Sequence, residues 1–93
     1  MPTTDWLMER ECPVCGAVKC KGMILCMGCW DKVFPETRRW LRITDVCSDQ
    51  RRLHFYDWVE KGVNISDSIT MPGKKELMRA RAAARKMEAT DGQ

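Results

Sequence analysis

Hydrophobic residues recur at helical spacing from the middle of the chain onward. Pro35 suits the first position of a helix, and Trp40, Leu41 and Thr44 follow at helical spacing. This pattern predicts a helix near residues 35–46.

A second helical pattern begins after Ser48, a residue that favours the N-cap position. Its periodic positions are Leu53, Tyr56 and Val59. Gly62 is suited to end it, so the pattern predicts a helix near residues 49–61. We expect Trp40 and Leu41 of the preceding helix to pack against this apolar stripe.

The C-terminal part of the chain carries the strongest helical pattern. Residues 74–89 are dense in Ala, Leu, Met, Arg and Lys and contain no helix breaker. One narrow stripe there collects the apolar positions Leu77, Ala80, Ala84 and Met87. Turn formers and β-branched residues dominate 62–73, which predicts a connection with a short extended piece around residues 63–65. The patterns thus divide the chain into a helical domain over 1–62, a connecting loop over 63–73 and a C-terminal helix within 74–93.

Residues 12–29 contain five cysteines in eighteen positions, interspersed with glycines. Two Cys-x₂-Cys pairs lie ten residues apart, a spacing typical of a structural zinc site with four thiolate ligands. Glycines beside the cysteines allow the tight turns in which two sulfurs point at one metal ion. We therefore predict one Zn²⁺ bound by Cys12, Cys15, Cys26 and Cys29.

Three alternatives to this site remain open from the sequence. Cys20 lies between the two pairs and could replace one ligand. The cysteines could instead form two disulfides, although clustered cysteines in a reducing compartment more often bind metal. The run from Cys12 to Cys15 also resembles a redox-active dithiol, but the segment after it is a poor helix.

Enzymatic sites find little support in the sequence. A catalytic zinc keeps one position open for water, whereas this chain has a surplus of sulfur. The zinc deaminase pattern needs a His-x-Glu before the cysteines, and the only histidine, His54, comes after them. Cys47, His54 and Asp57 could form an acid–base group, but core filling better explains the cysteine. We expect no enzyme, and no small-molecule substrate is evident.

Positive charge is concentrated toward the C-terminal end of the chain. The formal net charge is +3, which falls to about +1 if four thiolates hold one Zn²⁺. Residues 73–87 hold six basic side chains against one acidic one. A nucleic-acid contact would use these basic residues and those of the 35–46 helix. The predicted set is Arg38, Arg39, Arg42, Lys74, Lys75, Arg79, Arg81, Arg85 and Lys86.

Two of the seven aromatic residues have specific expected positions. Trp30 directly follows the last predicted ligand, so we expect it to cover the metal knuckle against the helices. Trp6 is isolated near the N-terminus, where it fits either a docked turn or an exposed anchor for a partner.

No apolar run approaches the roughly 20 residues that span a bilayer, and the N-terminus lacks the plan of a signal peptide. These observations predict a cytoplasmic protein without a membrane partner.

The run CMGCWDKVFPETRRWL resembles the second half of small treble-clef-like zinc proteins encoded by bacteriophages and other mobile elements. The matching positions are Cys26, Cys29, Trp30, Val33, Pro35 and Arg38. The chain differs in Cys29, where histidine is frequent, in Phe34 between Val33 and Pro35, and in the extra Cys20. The resemblance covers about residues 12–45 and implies a zinc-stabilised mini-domain.

The expected fold is a small α-rich zinc-binding domain, with four-cysteine zinc knuckles of treble-clef or zinc-ribbon type followed by about three helices. The expected function is a non-enzymatic nucleic-acid-binding or transcription-associated module. The alternative is a small protein that binds and modulates a host enzyme, such as RNA polymerase or a defence nuclease.

Overall fold

Within the described part of the chain, four helices follow an irregular segment over residues 5–26. A computed structural model describes residues 5–91, with side chains through residue 83. The helices are α1 (Met27–Lys32), α2 (Pro35–Leu41), α3 (Ser48–Glu60) and α4 (Lys74–Asp91). Within residues 5–91 there is no sheet, and the only β-type pairing is an antiparallel bridge between Glu11 and Val18. The prediction of a small helical fold is confirmed.

The first two helices differ from the sequence prediction. Helix α1 starts inside the second cysteine pair, where the glycines predicted a tight turn. Helix α2 begins at Pro35 as predicted but ends at Leu41, five residues before the predicted end. Beyond Leu41 the Asp45 N–H donates to the Ser48 hydroxyl at 3.0 Å instead of to the Leu41 carbonyl, and the Ile43 carbonyl accepts from the same hydroxyl at 3.1 Å. The next helix therefore takes the backbone groups that a longer α2 would need.

The N-terminus of α3 is held by side chains before and after Cys47, which is its N-cap residue in place of the predicted Ser48. The Ser48 hydroxyl accepts a hydrogen bond from the Asp45 backbone N–H (3.0 Å), and Asp45 Oδ1 accepts one from the Cys47 N–H (2.8 Å). The Arg51 guanidinium donates to both carboxylate oxygens of Asp45, at 2.7 and 2.9 Å. These bonds hold the pKa of Asp45 down at about 2, so its carboxylate stays ionised at neutral pH.

The core lies where α2 and α4 both pack against α3. Trp40 of α2 stacks on Trp58 of α3 with ring centroids 5.5 Å apart, and Phe55 is fully buried. Leu53, which we expected in this stripe, is only half-buried and lies outside the core cluster. The other two predicted positions belong to the buried face of α3: Tyr56 is fully buried, and Val59, like Trp58, packs against the core cluster.

The connection after α3 contributes to the same core. The Ile65 carbonyl accepts a hydrogen bond from the Phe34 N–H at 2.9 Å, and the Ile65 side chain is buried. No strand forms around residues 63–65, where we expected an extended piece. On α4, Leu77 is fully buried and Ala80 half-buried. The side chains of Ala84 and Met87 lie outside the described residues.

None of the helices in the described residues is both long enough and apolar enough to cross a membrane. The division of the chain into ranges 1–62, 63–73 and 74–93 stays a prediction.

Candidate metal centre

The first cysteine pair sits in a tight turn. The Gly16 N–H donates to the Cys12 carbonyl at 2.8 Å, and the Cys12 N–H donates to the Ala17 carbonyl at 2.8 Å. Gly16 has φ +76°, a left-handed conformation that a side chain would strain. The turn therefore depends on this glycine, and the Glu11–Val18 bridge closes its base.

The second cysteine pair stands at the start of α1. Cys26 is the N-cap residue and Cys29 lies in the first turn of the helix. Helical geometry places residues three apart on the same face, so both sulfurs point toward the first pair. The short α1 thus presents its two thiols in a fixed relative orientation.

The sulfur atoms of the four predicted ligands lie close together. Their Sγ atoms all lie within 4.8 Å of one another, and Cys15 Sγ is 3.5 Å from Cys26 Sγ. Tetrahedral zinc–thiolate geometry, with bonds of about 2.3 Å, places the sulfurs about 3.8 Å apart. The group formed by Cys12, Cys15, Cys26 and Cys29 can hold a metal ion, as the sequence predicted.

The surroundings of the sulfurs favour a bound cation. Burial raises the pKa of Cys12, but N–H groups of Cys26, Cys15 and Val14 donate to its sulfur, and its pKa falls to about 6. Burial and the neighbouring sulfurs raise the pKa of Cys29. Four thiolates cannot all be ionised at this distance unless positive charge balances them. A divalent metal supplies that charge, and all four side chains are soft ligands.

Two residues that the sequence pattern did not link to the cysteines, Lys19 and Tyr56, hold the cysteine segment in place. Lys19 is 4% exposed, and its ammonium donates to the carbonyls of Leu7 (3.0 Å) and Glu9. The Tyr56 hydroxyl donates to the Ile24 carbonyl at 2.9 Å. Burial raises the pKa of Tyr56, so the hydroxyl remains a donor at neutral pH. Periodicity offers no signal for either contact, because each joins segments that are distant in sequence.

The N-terminal turn docks on α3, which decides between the two expectations for Trp6. Its indole meets the Tyr56 ring edge-on with centroids 5.2 Å apart. Beside it, Asp5 accepts hydrogen bonds from Arg52 Nε at 3.1 Å and from Arg52 Nη2 at 2.7 Å. Trp6 also borders a recess of about 420 Å³ next to Cys12. Trp6 is therefore part of the wall around the cysteine turn.

The remaining chemistry-bearing residues lie away from the four sulfurs. Cys20 is exposed and outside the cluster. Cys47 is fully buried and its thiol donates to Met78 Sδ at 3.2 Å. Burial lowers the pKa of His54, and Asp57 pairs with Lys61 at 2.9 Å. These contacts give Cys47 and Asp57 partners other than His54.

The predicted basic residues occupy two helices. Arg38 and Arg39 of α2 and its C-cap residue Arg42 line, with Pro35, a recess of about 270 Å³. On α4, Lys74, Lys75 and Arg79 are exposed, and Arg81 is half-buried. The side chains of Arg85 and Lys86 lie outside the described residues.

The hydrogen bond from Tyr56 to the Ile24 carbonyl can be tested for its effect on metal affinity. We expect Tyr56→Phe to weaken apparent metal affinity about ten-fold, because it leaves the Ile24 carbonyl without its partner, at a cost of about 1–3 kcal/mol. Competition with a coloured chelator measures this affinity. Ser68→Ala, which removes an exposed hydroxyl, is the control. Equal affinities of the two variants would mean that Tyr56 does not support the centre.

Comparison of the chain with protein-family models, with curated proteins and with solved structures yields no match in any of the three.

Proposed function

We propose that the four-cysteine group binds one Zn²⁺ in a structural role, with the knuckle arrangement of treble-clef-like proteins. The observation that supports this is the convergence of four thiol sulfurs within 4.8 Å. Four protein ligands complete the tetrahedral coordination that zinc prefers, so no position is left for substrate or water. The resemblance of residues 26–41 to phage-encoded zinc proteins agrees with this proposal and with an origin in a phage or mobile element.

The function that we propose for the domain is non-enzymatic nucleic-acid binding. The basic face of α2, formed by Arg38, Arg39 and Arg42, carries this proposal. Thr37, Trp40 and Leu41 bury the opposite face, so packing of this short helix turns the arginines outward. Within the described residues none of the three arginines forms an ion pair or a side-chain hydrogen bond. Unpaired guanidinium groups are suited to phosphate oxygens.

A salt titration tests this function. We expect the metal-loaded protein to bind random duplex or single-stranded oligonucleotides at about 50 mM salt and to lose affinity steeply as salt rises. Replacing Arg38 and Arg39 with glutamine removes two phosphate contacts, which should reduce the log–log salt slope by about 2 on duplex DNA. Fluorescence anisotropy over a series of salt concentrations gives both values.

The matched control also removes two exposed positive charges, through Arg10→Gln and Lys32→Gln. These residues lie outside the basic recess, so their loss should leave the slope nearly unchanged. If the two double variants behave alike, general charge rather than the α2 face governs binding. If the parent protein binds no nucleic acid at that salt concentration, the proposal is wrong.

An apolar patch favours the second candidate function, modulation of a host enzyme by protein contact. Val46 is 57% exposed and Met78 is 39% exposed. Both flank Cys47, whose thiol contacts the Met78 sulfur. Contiguous exposed apolar surface is typical of protein contact sites, and we propose that these two side chains belong to such a surface. Failure of the salt titration would make this candidate the leading account.

A further inference from the structure

A second, apolar recess adjoins the basic face of α2. It measures about 240 Å³, and its walls are Gly22, Met23, Ile24, Leu25, Trp30 and Arg42. Arg42 also lines the basic recess, so the two recesses share this side chain as a common wall. Trp30 is half-buried and contributes an aromatic surface. An aromatic hollow therefore lies directly beside three unpaired guanidinium groups.

The size of the apolar recess limits what it can receive. Small-molecule sites commonly enclose about 300–1,000 Å³, so this recess is below that range and suits a single flat ring system. The positive charge of the neighbouring arginines favours a ligand that carries negative groups close to its ring. A nucleotide within a strand combines these two properties.

Three of the backbone groups around the apolar recess already have hydrogen-bond partners. The Gly22 N–H donates to the Leu7 carbonyl at 2.9 Å, and the Met23 N–H donates to the Cys20 carbonyl at 3.2 Å. The Ile24 carbonyl accepts from Tyr56. A ring that enters the recess is therefore held by stacking and apolar contact, and these interactions discriminate weakly between bases.

We propose that this pair of recesses binds single-stranded nucleic acid. One unstacked base occupies the apolar recess against Trp30, and adjacent phosphates lie along Arg38, Arg39 and Arg42. Bases within a duplex are stacked and paired, so a duplex engages only the arginines. This inference rests on the proposed nucleic-acid function and specifies the ligand class of the same surface.

The metal centre positions this surface. Leu25 precedes the ligand Cys26, and Trp30 follows the ligand Cys29, so the segment that binds the metal also carries the recess walls. Loss of the metal should therefore abolish the preference for single strands along with the fold.

The deciding experiment changes the ligand and leaves the protein intact. Anisotropy at about 50 mM salt compares oligothymidylate of about 12 nucleotides, an abasic strand of equal length and charge, and a duplex. We expect oligothymidylate to bind about ten-fold more tightly than the abasic strand, and also more tightly than the duplex. The abasic strand has no base, and the duplex has no unpaired base, that could stack on Trp30. Oligouridylate in a parallel arm distinguishes RNA from DNA, and a preference for either single strand over the abasic strand supports the proposal.

Protein variants localise the effect. Trp30→Leu should weaken oligothymidylate binding about ten-fold and leave abasic-strand binding unchanged, whereas Trp30→Phe should retain most of the affinity. Metal content and circular dichroism show whether each variant folds. If Trp30→Leu does not fold, the comparison of oligothymidylate with the abasic strand, made on the parent protein, decides. Equal binding of the oligothymidylate and abasic strands would overturn this inference and leave the proposed function standing. Absence of binding to every strand would remove both.

Discussion

We expect removal of the proposed metal ion to unfold this protein. Structural zinc sites contribute apparent binding free energies of about 10–16 kcal/mol, which exceeds or matches the whole net stability of a small domain. The four sulfurs join the N-terminal turn to α1, and the core contains both Cys12 and Cys29. Chelation should therefore abolish the helical circular dichroism signal, and elemental analysis of the untreated protein should find one zinc per chain.

Single substitutions make the same test without a chelator. Cys12→Ser and Cys29→Ser should each yield unfolded or insoluble protein, because each removes a predicted ligand that is also buried in the core. Cys20→Ser is the matched control, since Cys20 lies in the same segment but is exposed and outside the cluster. Cys47→Ser should retain the metal with only a mild loss of stability. Protein that contains no metal and, by mass, no free thiols would indicate disulfides instead.

Trp40→Ala should remove about 3–5 kcal/mol from the free energy of unfolding. Trp40 is 9% exposed and stacks on Trp58, so truncation empties the contact between α2 and α3. A loss of that size is a large part of the about 5–15 kcal/mol that stabilises a domain. Chemical denaturation of the metal-loaded protein measures the change.

Trp6→Ala is the matched control, because it removes the same side chain from a half-buried position. It should cost far less than Trp40→Ala and leave the helices formed. A Trp40→Ala variant as stable as the parent would contradict the packing of α2 on α3. Equal losses for both variants would instead show that the N-terminal turn is as important to stability as the helix contact.

The sequence alone was sufficient to predict the features that depend on short-range geometry. Ligand spacing in two Cys-x₂-Cys pairs restricts which sulfurs can share a metal, and the structure brings together the four that were predicted. Pro35 marked the start of α2, and α3 lies within a residue of its predicted bounds at each end. These features were predictable because caps, turns and periodicity act over only a few residues.

Tertiary structure decided the features that join distant segments. The docking of Trp6 on Tyr56, the burial of Lys19 beneath two carbonyls and the early end of α2 all depend on partners that periodicity does not identify. The same is true of the buried face of α3, which includes Tyr56 as predicted, adds Phe55 and Trp58, and leaves Leu53 outside the core. The sequence determined which residues could bind a metal and which stretches could form helices. Long-range packing and hydrogen bonding determined which faces were buried, because the free energy of burial depends on contacts that form only in the folded chain.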